Sequence, residues 1–385
     1  MKSSFLAARL ALLVYFIVPG LVYGLFTSRL PALKAQTGAL ESDVGLVLLM
    51  FGAGSVAGLL AARRLLARFG ARTVLLAALL GQMSGLALEA FASSLPLLFA
   101  LSGVTGLFVG LTDVTMNAQG LALEKRFSHP VMGFFHAGYC AGGGAGSLLG
   151  ALFAAAGLGV AVNYLVPALV MTPVILWSLR HVQPEAKRLD ASESPRARWP
   201  LPLVLCGLLA FLAFESEGAC GDWGGLLLIN EKGAAEGTAA AVYAVFTFCA
   251  LASRLASDSL RRRFSAPALL SSGAVLGIAG FLLIVASTSP ALALAGVAVA
   301  GLGLGPAAPL IYSLAGRLPG VTSALASSAV SILGYTGLLL CPPCFGVIAR
   351  HWHYSAIFST VTGLLVLLLA GVLLLAVLMK QQSVR

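Results

Sequence analysis

The stretch HVQPEAKRLDASESPRARW, residues 181–199, is the one long polar interval in a 385-residue chain that is 59% hydrophobic and only 10% charged. Its proline, serine and mixed charges read as a solvated linker. On either side lie apolar blocks of roughly 20 residues, the length that crosses a ~30 Å hydrocarbon core as a helix. Six precede it, near 7–28, 43–62, 73–92, 96–122, 131–156 and 160–179, and six follow, near 201–228, 237–258, 266–287, 290–315, 322–348 and 354–379. The pattern predicts an all-α membrane protein of twelve transmembrane helices in two pseudo-symmetric six-helix bundles. The N-terminal bundle spans 1–180, the linker 181–199 and the C-terminal bundle 200–385. Strand-like alternation is missing, which argues against a β-barrel.

A shift of 195 residues aligns the halves: RFGA at 68–71 falls on RFSA at 263–266, Gly106 on Gly301 and Gly110 on Gly305. A repeated six-helix unit is the build of many secondary transporters.

The net charge of +10 could suggest a nucleic-acid partner, but the basic residues follow topology instead. With both termini cytoplasmic, all of the 24 Lys and Arg except Arg29, Lys34, Lys232 and Arg350 fall in or beside cytoplasmic segments. That bias orients the chain in its membrane with both termini on the cytoplasmic side, and makes the lipid bilayer rather than nucleic acid its surroundings. Lys2 and Arg9 ahead of an apolar run resemble a signal peptide, yet removing that block would leave eleven spans and invert the bias. The six cysteines all lie in apolar blocks, so no disulfide framework is expected. CPPC at 341–344 reads as helix kinking and packing.

Polar residues inside apolar blocks mark sites, because a charge at the bilayer centre costs about 2.5–3.5 kcal/mol on insertion scales. In the fourth block, Gly103, Gly106, Gly110, Asp113, Asn117 and Gly120 form one helical stripe, which turns Asp113 toward protein or water. Either Asn117 or a neighbouring helix satisfies that acid, or it serves as a substrate or proton site. Gln119 follows on the same helix. In the fifth block His136 lines up with Cys140, Gly143, Ser147 and Gly150, in a stretch so rich in glycine that another helix must approach closely. The seventh block carries Glu215, Glu217 and Asp222. An α-helical wheel puts Glu215 and Asp222 on one face, suited to capping or inter-helix pairing, and Glu217 on a small-residue face suited to a cavity. Trp223 reads as an interfacial anchor ahead of a ligand platform, and Arg29 as the exit of the first helix into water ahead of a counter-charge to an acid on the seventh helix.

Each half also has a short basic turn between its second and third helices. The first contains Gly58, Arg63, Arg68, Gly70 and Arg72, and the second contains Arg254 and Asp258, spaced for an i, i+4 ion pair in a cytoplasmic gate. Glu124, at the cytoplasmic end of the fourth helix, is the acid available to Arg63 or Arg68.

With these residues the sequence resembles the major facilitator superfamily along essentially its whole length. The family's loop signature is a glycine, an acid, then basic residues around a second glycine, and here Ala67 stands where the acid is expected. The combination SRLPAL at 28–33, DVTMNAQG at 113–120, FFHAGYCAGG at 134–143 and EGACGDW at 217–223 is similar to a bacterial branch near the fucose and sugar permeases. The resemblance implies proton coupling at an acid on the fourth helix, the position of Asp113. Those relatives also use an acid on the first helix, and this chain has none between Phe5 and Thr27.

The expectation is a secondary transporter, not an enzyme, moving a small polar solute, sugar-like as a first guess, with protons by alternating access. It would act as a monomer with no cofactor and no metal. Proton-driven efflux is the alternative, and a passive channel or non-transporting sensor the remote one. No metalloprotease, paired-aspartate or nucleotide-binding motif supports an enzyme.

Overall fold

A chain in hydrocarbon must satisfy each backbone N–H and C=O within its own segment, and a helix does so without partners. The computed structural model describes residues 2–127, 132–181, 199–319, 321 and 323–384. The interior of the linker expected at 181–199 lies outside the described residues. Those described are helical throughout, with no strand among them.

The elements are α1 (Lys2–Thr37), α2 (Glu41–Glu89), α3 (Leu95–Phe127), α4 (Met132–Ala155), α5 (Val160–Ser178), α6 (Leu201–Gly218) and α7 (Gly224–Lys232). They continue as α8 (Glu236–Ala240), α9 (Val242–Leu260), α10 (Ala266–Ala286), α11 (Pro290–Leu304), α12 (Ala307–Ala315), α13 (Ser323–His351) and α14 (Tyr354–Val384). Among the described residues eleven segments are long and apolar enough to cross a membrane. The glycine-rich α4, on the fifth expected block, is not one of the eleven.

Local chemistry sets several ends. Ser265 and Ser289 accept hydrogen bonds from the N–H groups of Ala268 and Leu292, and each cap is followed by proline in the first turn of α10 or α11. α7 ends at Gly233, in the left-handed conformation at φ 68°. Within α2, Gly70 at φ 75°, ψ 159° marks a kink between two helical stretches, and only glycine adopts that geometry without strain.

Two units emerge from the packing. One comprises Met1–Asp190 with Ala235–Ala244, and the other Ala191–Ala234 with Val245–Arg385. In the first, α1 and α4 touch through glycine: a methyl group on Gly20 would sit 2.1 Å from the Tyr139 carbonyl oxygen, and one on Gly24 2.0 Å from that of Gly143. α2 and α3 meet likewise, with Gly106 against Phe51 O and Gly110 against Ser55 O, each at 1.9 Å by the same measure. The second unit repeats this contact, Gly301 against Phe246 O and Gly305 against Ala250 O, both at 2.5 Å. Every residue in the second pair of contacts is the counterpart of one in the first under the 195-residue shift.

Replacing Gly70 by alanine should cost about 1–3 kcal/mol, because the new Cβ meets a backbone conformation closed to it. Gly363, inside α14 with open space around it, is the control, where alanine should be neutral or stabilise by up to ~1 kcal/mol. Unfolding midpoints of the purified protein in detergent check both; equal losses at the two positions would refute the assignment.

Candidate functional site

The glycine stripe of α3 does two jobs in sequence. Up to Gly110 it is the face on which α2 rests. Beyond it the stripe carries Asp113, half-buried, and Asn117 one turn on. The Asn117 side-chain amide donates to the Asp113 backbone oxygen at 2.8 Å and to its carboxylate Oδ1 at 3.3 Å. Among the described residues Asn117 is the one polar side chain bonded to that carboxylate. Gln119 is buried. The opposite side of α3 holds α2 by hydroxyl and amide groups, with Gln82 Nε2 donating to Thr112 Oγ1 at 3.0 Å.

His136, on α4 in the same unit, is exposed and meets the ring of Phe16 edge-on, with centroids 5.3 Å apart. Further along α4 lies the docking of Ala235–Ala244. The hydroxyl of Ser147 donates to the Ala240 carbonyl at 2.7 Å and accepts from the Ala244 N–H at 2.9 Å. Gly143 leaves room for Tyr243, whose ring also packs edge-on against Tyr23.

Arg29 overturns its reading as the point where α1 meets water. The helix continues to Thr37, and Arg29 is 3% exposed. Its guanidinium donates to the Leu158 carbonyl at 3.0 Å and faces Glu236 Oε1 at 3.1 Å. The first charge leaving α1 for the surface is Lys34, paired with Glu41 at 3.2 Å.

In the second unit the seventh block does not stay α-helical. Ala219–Trp223 forms a π-helical turn between α6 and α7, on the motif ACGDW. The extra residue in such a turn rotates everything beyond it, so the wheel that grouped Glu215 with Asp222 does not carry across. Both acids are nonetheless buried. Glu215 lies against α13, where a methyl on Gly337 would come within 2.7 Å of its Oε1, and it faces the thiol of Cys341. α13 continues helically through Pro342 and Pro343, and Cys341 and Cys344 are free thiols. Trp223 is fully buried beside Tyr354, not at an interface as its neighbours in sequence suggested.

Glu217, part-exposed, pairs with Arg254 of α9 at 3.6 Å. The Arg254 Nε also donates to the Gly305 carbonyl at 2.6 Å. An arginine expected at a cytoplasmic gate is thus joined to an acid expected in a cavity. The side chains of Arg63, Glu124 and Asp258 lie outside the described residues. Of the remaining loop positions, Gly58 is a packing residue whose added methyl would meet Leu107 O at 2.0 Å, and Arg68 stacks over Phe69 at 5.2 Å.

Sequence reasoning passed over two acids, Glu89 at the end of α2 and Glu236 at the start of α8. An acid at the edge of an apolar block reads as the block's boundary. Burial of Glu89 and the Arg29 contact of Glu236 depend on helices distant in sequence.

The sequence profile of the Major Facilitator Superfamily matches residues 11–334. An uncharacterized MFS-type transporter of Yersinia pestis is 27% identical over 370 residues, 92% of each chain. Membrane protein MosC of Rhizobium meliloti is 29% identical over 344 residues, 87% of this chain and 82% of that one. Among solved structures, a mutant of the nucleoside transporter NupG superposes with a TM-score of 0.77 at 12% identity, covering 96% of this chain and 99% of that one. A bacterial homolog of the human lysosomal transporter Spinster, inward-facing and occupied, gives 0.70 at 16% identity over 96% of both chains.

The Glu217–Arg254 contact is open to a charge exchange. Glu217→Gln should lower the unfolding midpoint less than Arg254→Gln, which also abandons the Gly305 carbonyl. The double variant Glu217→Arg with Arg254→Glu should melt above the sum of its two single changes, as a coupled pair requires. Strict additivity in thermal unfolding would show that the two side chains are energetically independent.

Proposed function

We propose, from the premise that this chain belongs to the Major Facilitator Superfamily and is therefore a membrane transporter and not an enzyme, that it couples a small polar solute to protons. It works by alternating access in a bacterial cytoplasmic membrane, as a monomer with both termini in the cytoplasm and a six-helix bundle in each half. Sugars are the first class to test, on the resemblance of its motifs to the sugar-permease branch. The orientation rests on the distribution of Lys and Arg.

The observation that carries this reading is Asp113. It is a half-buried acid in the span Leu95–Gly120, bonded through its side chain to Asn117 alone among the described residues. An acid held by one weak donor, with no cation paired to it among the described residues, gains or loses a proton with little rearrangement of its surroundings. The gain or loss changes the net charge of the span by one. A ligand or proton shifts a two-state carrier only through different affinities for its two states, and a charge change in low dielectric is large enough to supply that difference. His136 and Glu217 are the further groups through which protons or solute would pass. Arg29, Glu215 and Asp222 are structural by comparison, all three buried, Arg29 against the Leu158 carbonyl and Glu215 against α13.

Proteoliposomes separate the steps. Asp113→Asn should abolish uphill accumulation driven by a pH gradient and preserve counterflow of labelled against unlabelled solute. Uphill transport that survives this change would remove Asp113 from coupling, and wild-type protein without counterflow would argue for a channel or sensor.

A further inference from the structure

Glu89 stands apart from the groups discussed so far. It closes the span Arg64–Glu89, is fully buried, and belongs to no ion pair among the described residues. Its carboxyl Oε1 lies 2.6 Å from Thr105 Oγ1 on α3, and its Oε2 has no hydrogen-bond partner among the described residues. The Thr105 hydroxyl also lies 3.0 Å from the Leu101 carbonyl oxygen, the usual back-bond of a threonine inside a helix.

A hydroxyl carries one proton, so it donates once. If Glu89 were ionised, Thr105 would face two acceptors with one proton, and one of the two contacts would set oxygen against oxygen with nothing between. As the side chains stand, Oε2 would meanwhile hold charge with no hydrogen bond in a buried site, the costly case of burial. If Glu89 is the neutral acid, its own proton fills the 2.6 Å contact, Thr105 keeps its bond to Leu101, and both contacts are satisfied. The short distance suits an O–H···O bond.

We propose that Glu89 is a proton-binding site of the N-terminal unit, occupied in this conformation, with Thr105 as its direct partner and Ser102 and Tyr164 as its polar lining. Ser102 is fully buried beside the carboxyl, and Tyr164 of α5, also fully buried, lies within electrostatic reach of both Glu89 and Arg29. Among the described residues neither the Ser102 nor the Tyr164 hydroxyl is fixed by a hydrogen bond that meets full geometry, and Ser102 lies close enough to turn toward the Glu89 carboxyl. They are ready donors should the proton leave. Arg29 is the cation of this neighbourhood, and it is engaged by Glu236 and the Leu158 carbonyl. The site is therefore charge-balanced when Glu89 is neutral.

The assignment is independent of the coupling role of Asp113, and so is its test. Infrared spectra of the full-length protein in lipid nanodiscs at neutral pH are compared with those of Glu89→Gln. The wild-type-minus-variant difference should show one protonated carboxylic C=O stretch, absent from the same difference taken with Asp113→Asn. In Thr105→Val, which keeps the acid, that band should move to higher frequency as its hydrogen bond is lost. A difference showing the paired stretches of an ionised carboxylate, or a band unmoved by Thr105→Val, overturns the proposal. Should Glu89→Gln not fold, the shift in Thr105→Val decides alone.

Discussion

Close backbone contact between helices is the constraint on which each unit rests. Lipid tails are as apolar as leucine, so burying apolar surface gains little inside a membrane, and helices associate by packing and by polar contacts. Glycine lets two backbones approach until a carbonyl occupies the space a methyl would need. Gly20 and Gly24 do this between α1 and α4, and Gly106 and Gly110 between α3 and α2. Once the axes are that near, side chains on adjoining faces are placed with little freedom. Thr105 and Thr112 can reach Glu89 and Gln82 because α3 is held this close to α2.

The repeat shows which features belong to the scaffold. Gly106 on Phe51 and Gly110 on Ser55 recur as Gly301 on Phe246 and Gly305 on Ala250. The polar residues do not recur. The shift carries Asp113 to Ala308, Asn117 to Tyr312 and Glu89 to Ile284, and Arg254 comes from Leu59. Packing is common to the halves and chemistry is specific to each. Asp113 and Glu89 of the first unit have neutral partners, and the second unit has an ion pair anchored to a glycine carbonyl of the shared contact.

Much of this was legible before any coordinates. Block lengths give the spans, and the in-register glycines foretell the helix contacts because glycine in an apolar helix has few other uses. The glycine content of α4 required a close neighbour, and α1 is that neighbour. The failures have two physical sources. The first is that helices need not end where hydropathy ends. α1 runs on past Arg29 to Thr37, so an arginine read as an exit is enclosed. The second is the assumption of a constant 100° step. The π turn at Ala219–Trp223 breaks it, and no residue pattern in ACGDW announces the break. Glu89 escaped for a third reason: a single acid closing an apolar block has no spacing to analyse, and its enclosure is a property of α3 and α5.

Asp113 and Glu89, two acids of the first unit, illustrate what neutral partners do for a carrier. An ion pair fixes the protonation of both members, since each stabilises the charge of the other, and breaking a buried pair costs about 3–5 kcal/mol. A carboxyl held by an amide or a hydroxyl has no such commitment. Asp113 with Asn117 has one amide donor to turn, whereas Glu89 with Thr105 is matched as the neutral acid and would draw on the Ser102 and Tyr164 hydroxyls if its proton left. Arg29, which would otherwise hold such an acid in its charged form, is drawn to Glu236 and the Leu158 carbonyl. The placement of one cation thus leaves Glu89 without a fixed counter-charge, and that freedom is what the proton site proposed for it requires.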